Sequence, residues 1–298
     1  RNVQRLARHT LSPDTEAALA ALGPVTASTS GTRSLLINAD IKWPNITVDG
    51  KPVQVSEVGY QTLREHPDRA VRKAAFDAFY GTWAQYENTF GALLAQRVQQ
   101  GVINARLRGY PSAAAASLAP FDIPESVMRQ LVAQVNTGLP TLHRYLKLRQ
   151  KLLKLPDLAY HDVYPDIVKS DKRYPPDVAG QLTLAAVKPL GDEYQAALKQ
   201  ALDFRNMHVF PAPGKSSGAY QTSVYGLPPL VFLNHRGSYD SLSTFAHEWG
   251  HGMHTALAQR AQPFETAGYP LFLAEIASMT NEVLLNHHML QQVTDQLT

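Results

Sequence analysis

Asp240-Ser-Leu-Ser-Thr-Phe-Ala-His-Glu-Trp-Gly-His-Gly-Met-His254 is the stretch from which the rest of the chain can be read. Within it, His247-Glu248-Trp249-Gly250-His251 has the pattern H-E-x-x-H. On a helix, residues four apart lie one above the other, so His247 and His251 can aim two imidazole nitrogens at one point. That suits a tetrahedral zinc site. Glu248 is turned about 100° around the axis, which sets its carboxylate beside the metal rather than on it, where it can take a proton from water. Local chemistry favours a helix. Asp240, Ser241 or Ser243 can cap its start, and Leu242, Phe245, Ala246 and Trp249 form an apolar stripe. Gly250 and Gly252 each disfavour a helix by about 1 kcal/mol relative to alanine, so another backbone or a substrate is expected close to that face.

The three fixed letters of the motif arise by chance in roughly one chain in a hundred of this length, so a third ligand is needed to carry the reading. The position six residues after His251 is Leu257, which excludes the zinc proteases that use a third histidine there. Glu265, Glu275 and Glu282 follow. Glu265 sits in the turn-like run Gln262–Pro270, bounded by proline and glycine. Glu275 lies in Leu271–Leu285, a helical and largely apolar segment expected to be mostly buried, where an unpaired carboxylate would be costly. Glu275 is therefore the expected third ligand, with water in the fourth position.

His247–His254 followed by Glu275 in Phe272–Ser278 resembles the M3 family of zinc oligopeptidases, and within it the oligoendopeptidase F branch. Gly214-Lys-Ser-Ser-Gly-Ala-Tyr220, Pro229-Leu-Val-Phe-Leu-Asn234 and Asn281-Glu282 resemble the same branch. The likeness runs from about residue 155 to 290 and rests on helical pattern alone before that. It implies a mainly helical zinc-peptidase fold with one zinc ion per chain. It also implies a deep channel that admits short unfolded peptides. Family members are about twice this length and carry transition-state-stabilising His and Tyr residues further towards the C-terminus. The chain is therefore expected either to be a fragment or to have the remainder of its catalytic domain elsewhere as a separate segment. Gly218, Ala219, Tyr220, Asn234, His235 and His254 are the expected substrate-side residues. Tyr220, Tyr225 and His235 are possible hydrogen-bond donors to a developing oxyanion. His254 can contact substrate or orient a ligand, and Glu282, seven residues after Glu275, can hold a ligand histidine's free N–H.

Composition bounds the alternatives. The 298 residues, 44% hydrophobic and 18% charged, can bury a sizeable core. A net charge of +3, from 28 Lys+Arg against 25 Asp+Glu, leaves no nucleic-acid footprint. With no cysteine, disulfides, thiolate metal sites and cysteine nucleophiles are excluded. No apolar run approaches the roughly 20 residues of a membrane span, so no membrane partner is expected. The expected compartment is the cytoplasm; because residue 1 is arginine rather than an initiator, the periplasm and secretion stay open.

Outward from the motif, Ser12-Pro13 to Gly23 reads as a capped helix, and 24–34 as a loop. Asp49-Gly50 between two β-branched runs marks a hairpin over 46–55. From Ser56 to Arg108 the pattern is helical, with Phe76, Phe79, Tyr80, Trp83, Tyr86 and Phe90 on one face as a buried seam. Ile123 to Leu153 reads as a helix or pair broken near Gly138–Pro140, and Tyr160–Pro165 as a polar aromatic turn resembling a family segment near the substrate channel. Helices are expected over 176–191 and 193–204. Val231–Leu233 is strand-like, an edge to which a peptide could add as a strand. Two regions are expected: residues 1–110, helical with the hairpin, and 111–298, the incomplete catalytic region, together one continuous unit. A zinc exopeptidase and a non-catalytic peptide-binding zinc protein are the rival functions.

Overall fold

The structure is a computed structural model that describes residues 2–26, 28–168, 171–202, 206–212 and 214–292. It is mainly helical, as expected, and falls into two compact units, one ending at Ile167 and one beginning at Val168. The boundary expected near residue 110 lies inside the first unit.

The first unit contains α1 (Asn2–Leu6), α2 (Pro13–Ala21), α3 (Gly23–Thr26) and α4 (Ser28–Leu35), then β1 (Asn45–Val48) and β2 (Lys51–Gln54). After these come α5 (Glu57–Leu63), α6 (Arg69–Ala84), α7 (Glu87–Leu107), α8 (Ala113–Leu118) and α9 (Glu125–Leu152). Ser12 caps α2 by accepting the Thr15 N–H at 3.4 Å, with Pro13 in the first turn. The hairpin forms where its turn chemistry places it. Asp49 and Gly50 both take positive φ (49° and 75°), and Ile46 pairs with Val53. Of the six aromatic residues expected as a buried seam, Phe79 alone is buried and Tyr80 is exposed; Tyr60 stacks on Phe79 (centroids 4.3 Å) with Trp43 beside it (5.4 Å), over buried Val55, Leu63 and Ala75.

Two further expectations fail in this unit. Of the expected loop over 24–34, the described residues 24–26 and 28–34 lie in the helices α3 and α4. Their hydroxyls bond back to the preceding turn, Thr26 to Leu22 O at 3.2 Å and Thr32 to Ser28 O at 3.0 Å, so a loop-like composition is satisfied inside helix. Nor is there a break at Gly138–Pro140, because α9 runs through with Pro140 inside it. Proline deprives the Asn136 carbonyl of its helical partner, but Asn136 is exposed, so water can serve it. The Tyr160–Pro165 segment is tied into this unit's interior. Asp162 is fully buried against Arg69 and Arg72, and Arg149 Nε donates to its carbonyl at 3.1 Å.

The second unit contains α10 (Pro176–Ala186), α11 (Asp192–Ala201), β3 (Met207–His208), β4 (Tyr220–Thr222), β5 (Leu230–Phe232), α12 (Tyr239–Ala261) and α13 (Leu271–Gln292). Its sheet has the order β3-β5-β4, parallel on one side of β5 and antiparallel on the other, so the strand at Val231, expected as an edge, is central and paired on both sides, and β4 lies at the edge. α12 is the centre of the core. Leu242, Phe245, Ala246, Trp249 and Met253 recur at helical spacing and are all fully buried, against Leu198, Val231, Leu233 and Leu285. Its cap is not one of the three expected residues but Ser238, whose hydroxyl accepts the Ser241 N–H at 3.2 Å. The expectation placed the start two residues too late, because Tyr239 and Asp240 already belong to the first turn.

Candidate metal centre

α12 and α13 run antiparallel in close contact, Asn281 lying at Ala246, Ser278 at Gly250 and Glu275 at His251. Gly250 makes this approach possible. A Cβ there would stand 2.7 Å from Ser278 Cα and 2.8 Å from Ala277 O. The expected close neighbour of Gly250 is thus the backbone of α13. A Cβ on Gly252 would instead meet the Trp249 ring at 3.1 Å.

Across this seam the Nε2 atoms of His247 and His251 lie 3.1 Å apart. Glu275 Oε2 stands 3.5 Å from the first and 3.6 Å from the second. Zinc-to-ligand distances near 2.0–2.1 Å put neighbouring tetrahedral ligand atoms about 3.3 Å apart, so the triangle has the size of a zinc face. Among the described residues these three form the one group of His and acidic side chains so converged. His247 donates from Nδ1 to Glu282 Oε1, which leaves the neutral ring's lone pair on Nε2. Ser243 donates to the other Glu282 oxygen at 3.3 Å, and Ser278 donates to Glu275 Oε2 at 3.0 Å. With the His247 proton on Nδ1 towards Glu282, and the His251 proton on the nitrogen that bonds the Ala274 backbone, acceptor atoms face one another around a point, an arrangement that a bound cation relieves. The residues fit a zinc ion.

The electrostatics agree in direction. Burial lowers the pKa of His251, and the neighbouring His247 adds to this, keeping the ring neutral as a ligand must be. Glu248 is buried at 5% exposure, and its Oε2 has no hydrogen-bond partner. Burial pushes its pKa up to about 7; the nearby His247 works against this, and Glu275 and Glu282 work with it.

Glu275 was expected on a mostly buried helix, and that reason is corrected here. One face of α13 carries Phe272, Ile276, Met279 and Val283 exposed, and the Glu275 side chain is itself 43% exposed. Glu265 is exposed in the α12–α13 connection and does not join the cluster. Of the other expected residues, His254 stacks on Tyr269 (centroids 3.7 Å) with Nδ1 unpartnered, three residues beyond His251. Burial lowers its pKa. Tyr220 is exposed on β4 and stacks on Phe232. Asn234 holds the preceding loop, donating to Ser216 O and Gly218 O at 2.9 and 2.8 Å. Ala219 packs against the core. His235 is buried with Nε2 against Tyr174 O at 2.6 Å, and Tyr225 donates to Gln262 O at 2.8 Å. Those polar atoms are therefore already engaged. The sequence reading passed over the hydroxyls of Ser243 and Ser278. Ser278, one helical turn after Glu275, carried a usable signal in its spacing.

A mainly helical chain in which two antiparallel helices bring two histidines and a glutamate to one point, with a buried glutamate alongside, has the layout of a helical metalloprotein. The chain belongs to peptidase family M3, whose family model matches residues 62–297. It is 38% identical over 290 residues to oligopeptidase PepF of Bacillus subtilis, covering 97% of this chain and 43% of that protein. To an oligoendopeptidase F homolog of Lactococcus lactis it is 36% identical over 288 residues, covering 96% and 48%. The crystal structure of oligoendopeptidase-F from Enterococcus faecium superposes with a TM-score of 0.68 at 33% identity, covering 98% of this chain and 46% of that one. The chain thus spans about half the length of these relatives.

Proposed function

We propose that this chain carries the metal site of a zinc-dependent oligoendopeptidase that hydrolyses internal bonds of short unstructured peptides. The observation that carries this reading is the acceptor triangle of His247, His251 and Glu275, with Glu248 buried beside it. One zinc ion held by those three residues would supply Lewis acidity, polarising a carbonyl and making water more acidic. Glu248 takes a proton from the attacking water as its oxygen bonds to the scissile carbon. It then passes that proton to the amine nitrogen as the C–N bond breaks. Glu282 and Ser278 hold the ligand side chains in place through the hydrogen bonds described above.

Peptide binding is assigned to β4. Among the described residues it pairs with β5 alone, leaving its other edge able to accept a peptide strand through backbone hydrogen bonds. Gly218, Ala219 and Tyr220 lead into that edge, Asn234 fixes the loop before it, and His254 lies towards the C-terminal end of α12; His235 supports from behind. The exposed apolar faces of α9 (Leu131, Val135, Leu142, Tyr145, Leu152) and of α13 support a further part of the proposal. Each would take up helices from a remainder of the catalytic domain, the relatives being about twice as long as this chain. No described helix is long and apolar enough to cross a membrane. The same reading sets the enzyme in the cytoplasm, where short peptides are available; cell fractionation tests that placement.

The test uses the intact natural protein and an internally quenched peptide of about eight residues blocked at both ends, the expected substrate class. Zinc-loaded enzyme is expected to cleave it and chelated enzyme to be inactive. Glu248→Gln should keep one zinc per chain and lose roughly 10²–10⁴-fold in rate, the usual contribution of a general base. Zinc-loaded protein that leaves blocked peptides intact but trims free ends would convert the reading to an exopeptidase. Binding without any cleavage would reduce it to a peptide-binding protein.

A further inference from the structure

Asn281 takes no part in the acceptor triangle, yet it is 1% exposed and both ends of its amide are used. Its Nδ2 donates to the carbonyl of Ala246 at 3.0 Å, and its Oδ1 accepts from the Tyr194 hydroxyl of α11, also at 3.0 Å. The amide has one workable orientation. Turned over, Oδ1 would face a carbonyl oxygen, and two acceptors would meet in the core. Burial raises the Tyr194 pKa to about 12, so the phenol remains a donor.

The place of this amide on α13 gives it leverage. Ala274, Ser278, Asn281 and Leu285 form the buried stripe, at spacings of four, three and four. Glu275 and Glu282 each follow a stripe residue by one position, about 100° around the axis, so both carboxylates emerge on the same edge of the seam. On α12, Ala246 immediately precedes His247. The apolar members of the stripe resist separation of the helices but tolerate small sliding and rotation, because apolar contact has no direction. A directional hydrogen bond from Asn281 to Ala246 O does not. It fixes both the axial register and the rotation of α13 one residue away from the Glu282–His247 contact.

We propose that Asn281 is a positioning residue, locked by Tyr194, that sets α13 against α12 so that Glu275 reaches the two Nε2 atoms and Glu282 the Nδ1 of His247. The relevance of that placement to zinc rests on the function proposed above, and the test separates the two. Zinc affinity of the chain is measured by competition with a chromophoric chelator, and the cobalt(II) spectrum reports ligand geometry. In chelator-treated protein, the low-field imidazole N–H resonance of His247, assigned by its loss in His247→Gln, reports the Glu282 contact without any metal. Stability of the metal-free chain is followed in urea.

Asn281→Ala adds no atom to the seam. It is expected to weaken zinc binding about 10–100-fold, the usual range for residues behind metal ligands, to alter the cobalt spectrum and to shift the His247 resonance. Tyr194→Phe should change the same three signals in the same direction and by less. If Asn281→Ala does not fold, Tyr194→Phe decides. A variant that loses urea stability with zinc affinity within about twofold of the parent and an unmoved His247 resonance would show packing alone and overturn the proposal. If the parent chain binds no zinc while Asn281→Ala still moves the His247 signal, the metal reading fails and the positioning role stands.

Discussion

Gly250→Ala is expected to leave a helical protein that no longer binds zinc with useful affinity. The substitution looks benign from the sequence, because alanine is favoured over glycine in a helix interior by about 1 kcal/mol. The structure reverses that sign. The added Cβ would sit 2.7 Å from Ser278 Cα and 2.8 Å from Ala277 O, where ordinary contacts lie at 3.4–4 Å. Both obstacles are backbone, so no side chain can swing away, and α13 itself must retreat by most of an ångström. Overpacking of this kind costs about 1–3 kcal/mol, more than the propensity gain. The larger effect falls on the site. Ser278 is three residues from Glu275 on the same helix, so the retreat carries the third acceptor away from histidines that α12 holds in place. Metal–ligand distances tolerate only about 0.2 Å, and a misplacement near 1 Å is expected to weaken zinc binding by about 100-fold or more. Circular dichroism should show retained helix, and chelator competition should show the loss. Parental affinity in Gly250→Ala would mean that α13 can yield without moving Glu275, and that the glycine does not set the ligand spacing.

The same pair of helices marks the limit of what could be read in advance. The placement of His247, Glu248 and His251 is local, written in spacing along one helix, and was legible in the sequence alone. So was the Asp49-Gly50 hairpin, since a turn requiring two positive φ angles announces itself in residue type. Gly250 signalled a close approach but not its partner, because what approaches is 27 or 28 residues further on. Asn281 signalled a family likeness but no role, since its worth lies in Ala246 and Tyr194, which only the packed structure brings to it. Glu275 was reached through a premise about burial that the exposed face of α13 does not support. The misread helices share one cause. In α3, α4 and α9, serine, threonine and proline stood against helix by propensity, and local back-bonding and solvent exposure overrode them.

Asp162→Asn is expected to unfold the first unit under conditions where the parent is stable. The carboxylate is fully buried and serves several donors at once. Arg69 holds both its oxygens, with Nη2 at 2.8 Å from Oδ2, Arg72 holds Oδ1 at 2.9 Å, and the Ala159 N–H reaches Oδ2 at 3.0 Å. Arg72 is itself 3% exposed and spends its remaining donors on the carbonyls of His161, His66 and Pro67. Asparagine keeps the shape but removes the only negative charge against that buried guanidinium among the described contacts. Breaking a buried pair from one side costs about 3–5 kcal/mol, a large part of the 5–15 kcal/mol that typically holds a domain together. The pH dependence follows with a definite sign. Burial alone would raise the Asp162 pKa, but Arg69, the Ala159 N–H and Arg72 together outweigh it and bring it down to about 2. An unfolded aspartate titrates near 3.9, so the stabilisation is fully present above about pH 4 and is lost as pH falls from there through 2. Urea titrations should therefore show parent and variant far apart at pH 7 and converging towards pH 2. Trp43 and Trp83 lie in this unit's core, so their fluorescence is a suitable signal. A gap that stays constant across that range would mean that the arginines are held by the carbonyls alone, with the carboxylate's charge contributing nothing.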